Sequence, residues 1–169
     1  IDFKSESIIT YSGNDAHNLN NAGLIKKTAG NGNTQIQSFL TNTGTFTVES
    51  GKLTLNSKEK TFIGGIYNVA ADKELVLATQ INVSKTLTGL LNGAMNWTDN
   101  VAIASTATFN FTGSKGLVWS SGSLIGGGNL TNSSKISIES GASKYISGAT
   151  TFTNTSTITF PFACYFYLY

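Results

Sequence analysis

The chain has 169 residues, enough for one domain with a sizeable core. Charged residues make up 12% of it, about half the usual share, whereas Thr, Ser, Asn and Gly together supply 77 residues. All 11 basic residues are scattered lysines. A nucleic-acid surface needs clustered Lys and Arg, so the composition argues against nucleic acid as a partner.

Cysteine content and hydropathy exclude further classes. Cys164 is the only cysteine, which rules out an intrachain disulfide framework and every multi-cysteine zinc motif. No apolar run approaches the length of a transmembrane helix, so we predict no transmembrane segment. Because the chain begins at Ile1, we treat it as a mature form or as part of a longer chain.

The first 18 residues carry mixed signals. Ile8, Ile9 and Tyr11 indicate a short strand, and the stretch 12–15 (SGND) indicates a turn. A stack of repeated coils needs a cover at its first coil, and we expect residues 1–18 to be this N-terminal cap.

Residues 40–48 show the clearest pattern in the chain. Leu40, Asn42, Phe46 and Val48 lie on one parity, and the Thr residues between them lie on the other. Such period-two alternation is typical of a β-strand with one buried face and one exposed face. We therefore expect Leu40, Phe46 and Val48 to point inward.

The same pattern recurs along the chain. It reads apolar-x-Asn-x-(Gly/Ser)-x-apolar-x-apolar, and Lys27 is its one departure. It is found at 19–27, 40–48, 130–138 and 152–160. One such unit cannot bury its apolar face alone, but stacked copies can. The repeat predicts an all-β, single-stranded parallel β-helix, or solenoid, of roughly seven coils of about 21 residues over 19–160. We expect the apolar positions of all copies to stack on the same core stripes.

The repeated asparagines share the inward parity, where an unpaired amide is costly. In a solenoid the next coil lies about 4.8 Å away, so stacked amides can bond one another along the axis. We therefore predict structural corner ladders of Asn21, Asn42, Asn132 and Asn154.

The middle of the chain carries a second pattern, in which 69–77 matches 103–111. The offset between these two copies is not a multiple of the repeat period. Because this offset takes the second copy out of step with the repeat, we expect irregular coils or small loops at 86–97 and 117–130. Trp97 and Trp119 lie there. They are candidates for sugar stacking, and the alternative is that their large area packs in the core.

The last residues, 161–169, change composition abruptly to aromatic and uncharged. Three interpretations stay open. The segment is a C-terminal cap strand over the last coil, a docking or membrane-surface segment, or an unnatural end of the chain.

Nothing in the sequence argues well for catalysis. The only histidine, His17, and Cys164 lie at opposite ends of the predicted solenoid, so a Cys/His pair cannot form. The Gly-rich stretches match no phosphate-binding motif, and no calcium-binding loop is present. We predict no enzyme activity, catalytic residue, cofactor or metal ligand.

Two runs of alternating threonine form a candidate ligand face. A flat array of such residues resembles the ice-binding face of β-solenoid antifreeze proteins, but Lys26 and Lys135 interrupt the corresponding runs of other copies. The alternative is that Thr is an ordinary exposed strand residue. The runs comprise Thr41, Thr43, Thr45, Thr47, Thr151, Thr153, Thr155, Thr157 and Thr159.

The repeated unit over 19–160 resembles the β-helical repeats of bacterial surface and secreted proteins, such as adhesin stalks and autotransporter passengers. That resemblance implies a non-catalytic extracellular scaffold at the cell surface, an adhesin or structural repeat segment, with an extracellular surface or glycan as partner. The alternative is an ice-binding solenoid that uses the threonine face. A third interpretation is a polysaccharide-binding or polysaccharide-active β-helix.

Overall fold

A computed structural model describes residues 1–10, 17–57, 61–139, 141–148 and 150–169. These residues form only β-strands and connecting turns. The predicted turn at 12–15 and Tyr11 lie outside the described residues.

Eleven strands make up the first half of the chain. They are β1 (Asp2–Phe3), β2 (Ile8–Ile9), β3 (Asn18–Asn21), β4 (Leu24–Lys27), β5 (Asn33–Ile36), β6 (Phe39–Asn42), β7 (Thr45–Val48), β8 (Lys52–Leu55), β9 (Thr61–Val69), β10 (Glu74–Leu77) and β11 (Ile81–Leu90).

Eleven further strands follow in the second half. They are β12 (Ala94–Trp97), β13 (Val101–Ile103), β14 (Thr106–Thr112), β15 (Gly116–Trp119), β16 (Ser123–Gly126), β17 (Asn129–Asn132), β18 (Ile136–Ile138), β19 (Lys144–Ile146), β20 (Thr151–Asn154), β21 (Ile158–Thr159) and β22 (Phe166–Leu168).

The strands pair in parallel with their counterparts one coil away and form three faces. Face I runs β3, β6, the start of β9, the start of β11, β13, β16, β19, β22. Face II runs β1, β4, β7, the end of β9, the end of β11, β14, β17, β20. Face III runs β2, β5, β8, β10, β12, β15, β18, β21.

The chain visits these faces in the order I, II, III in every coil, which confirms the predicted parallel solenoid of about seven coils. The coil length varies. Val101 pairs with Ile81 in the preceding coil and with Leu124 in the following coil, so the second of these two coils is the longer one.

The predicted inward parity is confirmed in the second coil. Leu40, Phe46 and Val48 are buried in the continuous core, whereas Thr41, Thr45 and Thr47 are partly exposed. The alternation follows directly from the two-residue period of a strand. This alternation places the apolar side chains of the coil on the inside of the solenoid.

The prediction that all copies share the same stripes is wrong. Leu40 pairs with Leu19 on face I, but Leu130 pairs with Ala107 and Phe152 on face II. The first two copies therefore span faces I and II, and the last two span faces II and III. The coils of face I keep an average length of one repeat period, so the shift arises because the repeated unit itself restarts one strand later in the second half.

The predicted irregular coils at 86–97 and 117–130 are also wrong. These stretches contain the end of β11, the whole of β12, most of β15, the whole of β16 and the start of β17, all in regular parallel pairing. The irregular spacing of the second pattern corresponds instead to coils of different length and to a register shift between Val83 and Leu87.

One inward stripe shows how the core accommodates large rings. Along face II it runs through Ile25, Phe46, Tyr67, Gly89 and Phe111. Gly89 has φ 141°, and a Cβ there would collide with the Tyr67 backbone. Phe46 stacks on Tyr67 with centroids 5.7 Å apart, and Tyr67 meets Phe111 edge-on at 6.4 Å.

Both ends of the chain extend the ladders. β1 and β2, within the segment expected to be a cap, pair in parallel with β4 and β5. β22, within the aromatic tail, pairs in parallel with β19. An open cavity of about 520 Å³ lies at this C-terminal end, lined mainly by apolar side chains that include Ile146, Phe160 and Phe166.

Candidate binding surface

The first pair of predicted ladder asparagines lies at the corner between faces I and II. Asn21 Nδ2 donates to Asn42 Oδ1 at 2.7 Å. Asn42 Nδ2 donates to Gly64 O at 2.7 Å and to the Tyr67 hydroxyl at 2.9 Å. These bonds use the amide of Asn42 for structure rather than for a ligand.

The second pair lies at the corner between faces II and III. Asn132 Nδ2 donates to Asn154 Oδ1 at 2.7 Å and to Ser134 O at 2.8 Å. The four amides therefore form two separate hydrogen-bonded pairs, at different corners, rather than one continuous ladder. At the position of Asn42, the next coils of face I carry Ile63 and Val83.

The two tryptophans are not available as a sugar platform, and that prediction is wrong. Trp97 and Trp119 lie next to each other on face III and point inward, with 2% and 1% of their surface exposed. Their rings stack with centroids 4.3 Å apart. Their burial supports the alternative, in which indole area serves the core.

The predicted threonine face is not one plane. Thr41 lies on face I, Thr43 lies in the turn after β6, and Thr45 and Thr47 lie on face II. At the other end of the chain, Thr151 and Thr153 lie on face II, Thr155 follows β20, Thr157 precedes β21, and Thr159 pairs with Ser137 on face III. The rotation of the repeat between the two halves divides the set.

The structure brings together a different set of threonines. Thr86, Thr108, Thr131 and Thr153 occupy consecutive, directly paired positions on the outside of face II. We call these four residues the threonine column. At a strand spacing of about 4.8 Å the column is about 14 Å long.

The threonine column offers unsatisfied hydroxyls. Among the described residues, none of its four hydroxyl groups has a hydrogen-bond partner within the protein. The flanking positions are also hydroxyl or amide side chains. They are Thr106, Asn129 and Thr151 on one side, and Thr88, Asn110, Ser133 and Thr155 on the other.

Among the described residues, the strands of this part of face II carry one charged side chain, Lys85, which lies next to Thr86 at the corner with face I. Lys26 lies at the N-terminal end of the face, opposite Thr47. Lys135 lies in the connection between β17 and β18, beyond the edge of the face. The column could not be found from the sequence because Thr86 and Thr108 lie outside the four copies of the asparagine-containing repeat, and only the strand register aligns them.

Face III has a different chemistry. Lys52 Nζ lies 3.0 Å from Glu74 Oε2, and Asn96 Nδ2 donates to Glu74 Oε1 at 3.2 Å. Ser120 Oγ donates to Asn96 Oδ1 at 2.7 Å, so a polar network crosses four coils. The carboxylate of Glu74 is therefore engaged in an ion pair with Lys52.

Ionisable groups with shifted pKa values lie at the ends and in the core. Lys4, Thr28 and Lys26 lower the pKa of Asp2 to about 2. The Gly32 backbone amide lowers the pKa of Glu6. Burial raises the pKa of Tyr67 and lowers that of Lys144, whose ammonium donates to Ala142 O at 2.8 Å.

The remaining predicted groups do not converge. His17 is exposed near the N-terminal end, and Cys164 is partly buried near the C-terminal end. Within the described ranges, no group of three or more His, Cys, Asp or Glu side chains is placed to hold a metal ion. The described residues also include no helix long and apolar enough to span a membrane.

The fold and this surface define a class: a parallel β-solenoid with a hydroxyl-lined strand face. Comparison of the chain with protein-family models, with curated proteins and with solved structures gives no match.

Proposed function

We propose that this chain is a non-catalytic β-solenoid scaffold of an extracellular or cell-surface protein, which binds an extended glycan surface through face II. The threonine column is the observation that carries the proposal. Its four hydroxyls have no protein partner among the described residues, and each stands beside a methyl group. A polysaccharide chain offers the matching groups, alternating hydroxyls and apolar C–H faces.

The composition supports an adhesin or structural repeat segment. Low charge with abundant hydroxyl and amide groups keeps the rod soluble without a strong electrostatic field. Rigid parallel strands hold the column in place, so little side-chain or loop ordering is needed on binding.

The test is retention on insoluble polysaccharides such as cellulose and chitin. We expect the wild-type chain to be retained on at least one of them. The double variant Thr108→Lys/Thr131→Lys places two charges in the column and should lose that retention. The matched control, Ala102→Lys/Ile125→Lys, places the same charges in the same two coils but on face I.

Retention by the control but not by the column variant supports the proposal. If wild type is retained on none of the polymers, or if both variants bind as wild type does, the glycan proposal is wrong.

Ice binding is a second candidate, favoured because the described strands β14, β17 and β20 carry no charged side chain and Lys85 of β11 lies only at the corner of the face. Regularly spaced methyl and hydroxyl groups can order water on a flat surface. The same variants discriminate: thermal hysteresis and ice shaping that vanish in the column variant, with no retention on polysaccharide, would identify ice as the ligand. Complete absence of both activities in the folded wild type would eliminate this candidate.

A further inference from the structure

A second surface feature lies apart from the threonine column, at the corner between faces I and II. It is a cavity of about 250 Å³ between the second and fourth coils, and we call it the corner pocket. Its lining residues are Thr41, Asn42, Thr43, Ile63, Gly64, Asn82, Ser84 and Lys85. The register shift between Val83 and Leu87 takes residues 84–86 out of register with β9 and so builds one wall.

One residue that lines the corner pocket, Asn82, has an unused hydrogen-bond donor. Asn82 Nδ2 is buried from solvent and has no partner among the described residues. A buried polar group without a partner is costly, and such exceptions in a folded protein need an explanation. Asn42 also lines the pocket, but its amide already bonds Asn21, Gly64 and Tyr67.

The other polar groups around the pocket are a cation and hydroxyls. Lys85 is exposed and, within the described part of the chain, pairs with no carboxylate. Thr41, Thr43 and Ser84 add hydroxyl groups, and no Asp or Glu is among the lining residues. An ammonium, an amide donor and hydroxyls that meet in one pocket favour a ligand that accepts hydrogen bonds and carries negative charge.

The size of the pocket limits the ligand. Sites for drug-sized molecules occupy roughly 300–1,000 Å³, so 250 Å³ suits a single sugar ring rather than an oligomer buried along its length. From these groups and this volume, we propose that the corner pocket binds one acidic sugar residue through its carboxylate. In the bound state the Asn82 side chain turns its covered Nδ2 toward the pocket, where it and the Lys85 ammonium contact the carboxylate oxygens, and the hydroxyls contact the ring.

This proposal uses none of the four threonines of the column, although Lys85 directly precedes Thr86 in β11. The experiment is a titration of the full chain with tri-galacturonate, followed by the side-chain ¹⁵N–¹H₂ signals of asparagine. We expect the Asn82 signal to shift on titration. A neutral galactose trimer should leave the same signal unchanged.

Three variants test the assignment. Asn82→Asp replaces the donor with a carboxylate of the same shape, and Lys85→Gln removes the cation. Each should weaken tri-galacturonate binding about tenfold or more, the size expected for one charge-assisted hydrogen bond. Lys135→Gln, another exposed lysine at a corner, is the matched control and should bind as wild type does.

Gly64→Ala gives a steric readout that does not change charge. A Cβ there would lie 3.4 Å from Lys85 Cβ and 3.7 Å from Asn42 O, which is ordinary contact without backbone strain. It narrows the pocket and should weaken binding while the melting temperature stays close to that of wild type.

Three results would overturn the proposal. The first is that tri-galacturonate does not bind. The second is that the trimer binds the Asn82, Lys85 and Lys135 variants equally. The third is that inorganic phosphate shifts the Asn82 signal at the same concentration as the trimer, which would make the pocket a general anion site rather than a sugar site.

Discussion

Asn42 Nδ2 donates a hydrogen bond to the Tyr67 hydroxyl at 2.9 Å, inside the core. The next coil carries Ile63 where a further ladder asparagine would lie. Tyr67, on the neighbouring face of that coil, supplies an acceptor in its place. The two-rung ladder of Asn21 and Asn42 therefore ends on a buried phenol and leaves no amide donor unpaired.

Removing that amide should be costly. Asn42→Ala leaves Asn21 Nδ2 without its ladder acceptor and Gly64 O and the Tyr67 hydroxyl without their donor. We expect a loss of about 2–4 kcal/mol in the free energy of unfolding, measured in denaturant. Asn110→Ala, an exposed position on face II, should change it by less than about 0.5 kcal/mol. Equal effects would contradict the ladder.

The inward parity of β7 makes a second prediction. Phe46 is completely buried and stacks on Tyr67, whereas the neighbouring Thr45 is partly exposed. Phe46→Ala should cost about 3–5 kcal/mol because it opens a cavity in the core. Thr45→Ala should be nearly neutral. Denaturant melts that show similar losses for both variants would refute the assignment of faces.

The stacked indoles of Trp97 and Trp119 make a third prediction. Both lie in the core, so their fluorescence should be almost insensitive to iodide in the native state and become sensitive on unfolding. Soluble sugars should leave the emission unchanged. Strong iodide quenching of the folded protein, or a sugar-dependent shift of the emission, would contradict their burial.

The contacts of Asp2 at the N-terminal end predict how the free energy of unfolding depends on pH. Lys4, Thr28 and Lys26 lower the pKa of Asp2 from 3.8 to about 2 in the folded state. A lowered carboxyl pKa contributes stability above the unfolded value, and that contribution is lost as the pH falls through the folded value. The difference in free energy of unfolding between wild type and Asp2→Asn should therefore shrink as the pH falls from about 4 to about 2. A difference that stays constant over that range would contradict the contacts of Asp2.

The local features of the fold could be predicted from the sequence, because they depend on neighbouring residues. Inward parity follows from strand geometry alone. The turn after each ladder asparagine is also local: Gly23 N donates to Asn21 Oδ1 at 3.2 Å, and Ser134 N donates to Asn132 Oδ1 at 3.2 Å. Because these bonds stay within one short turn, the same unit can form either corner.

The faces could not be predicted, because they depend on the strand register and not on the spacing of the repeat alone. Paired positions lead from Asn21 to Gly126 on face I, whereas the asparagine of the third copy is Asn132, on face II, and no single residue marks that shift. The threonine column depends on register in the same way. Its members Thr86 and Thr108 come from coils without the repeated unit, and only the register places them beside the other two.

The pairing of Thr108 with Thr131 on face II is the claim on which the proposed function depends. Cysteines replacing both residues, in a chain that also carries Cys164→Ala, test it directly by mass spectrometry after mild oxidation. Adjacent paired strands hold Cα atoms within the roughly 4.4–6.8 Å that a disulfide spans. We predict an intrachain disulfide for Thr108→Cys/Thr131→Cys and none for Thr108→Cys/Ser137→Cys, whose second position is on face III. Free thiols in the first pair, or a disulfide in the second, would contradict the register and with it the threonine column.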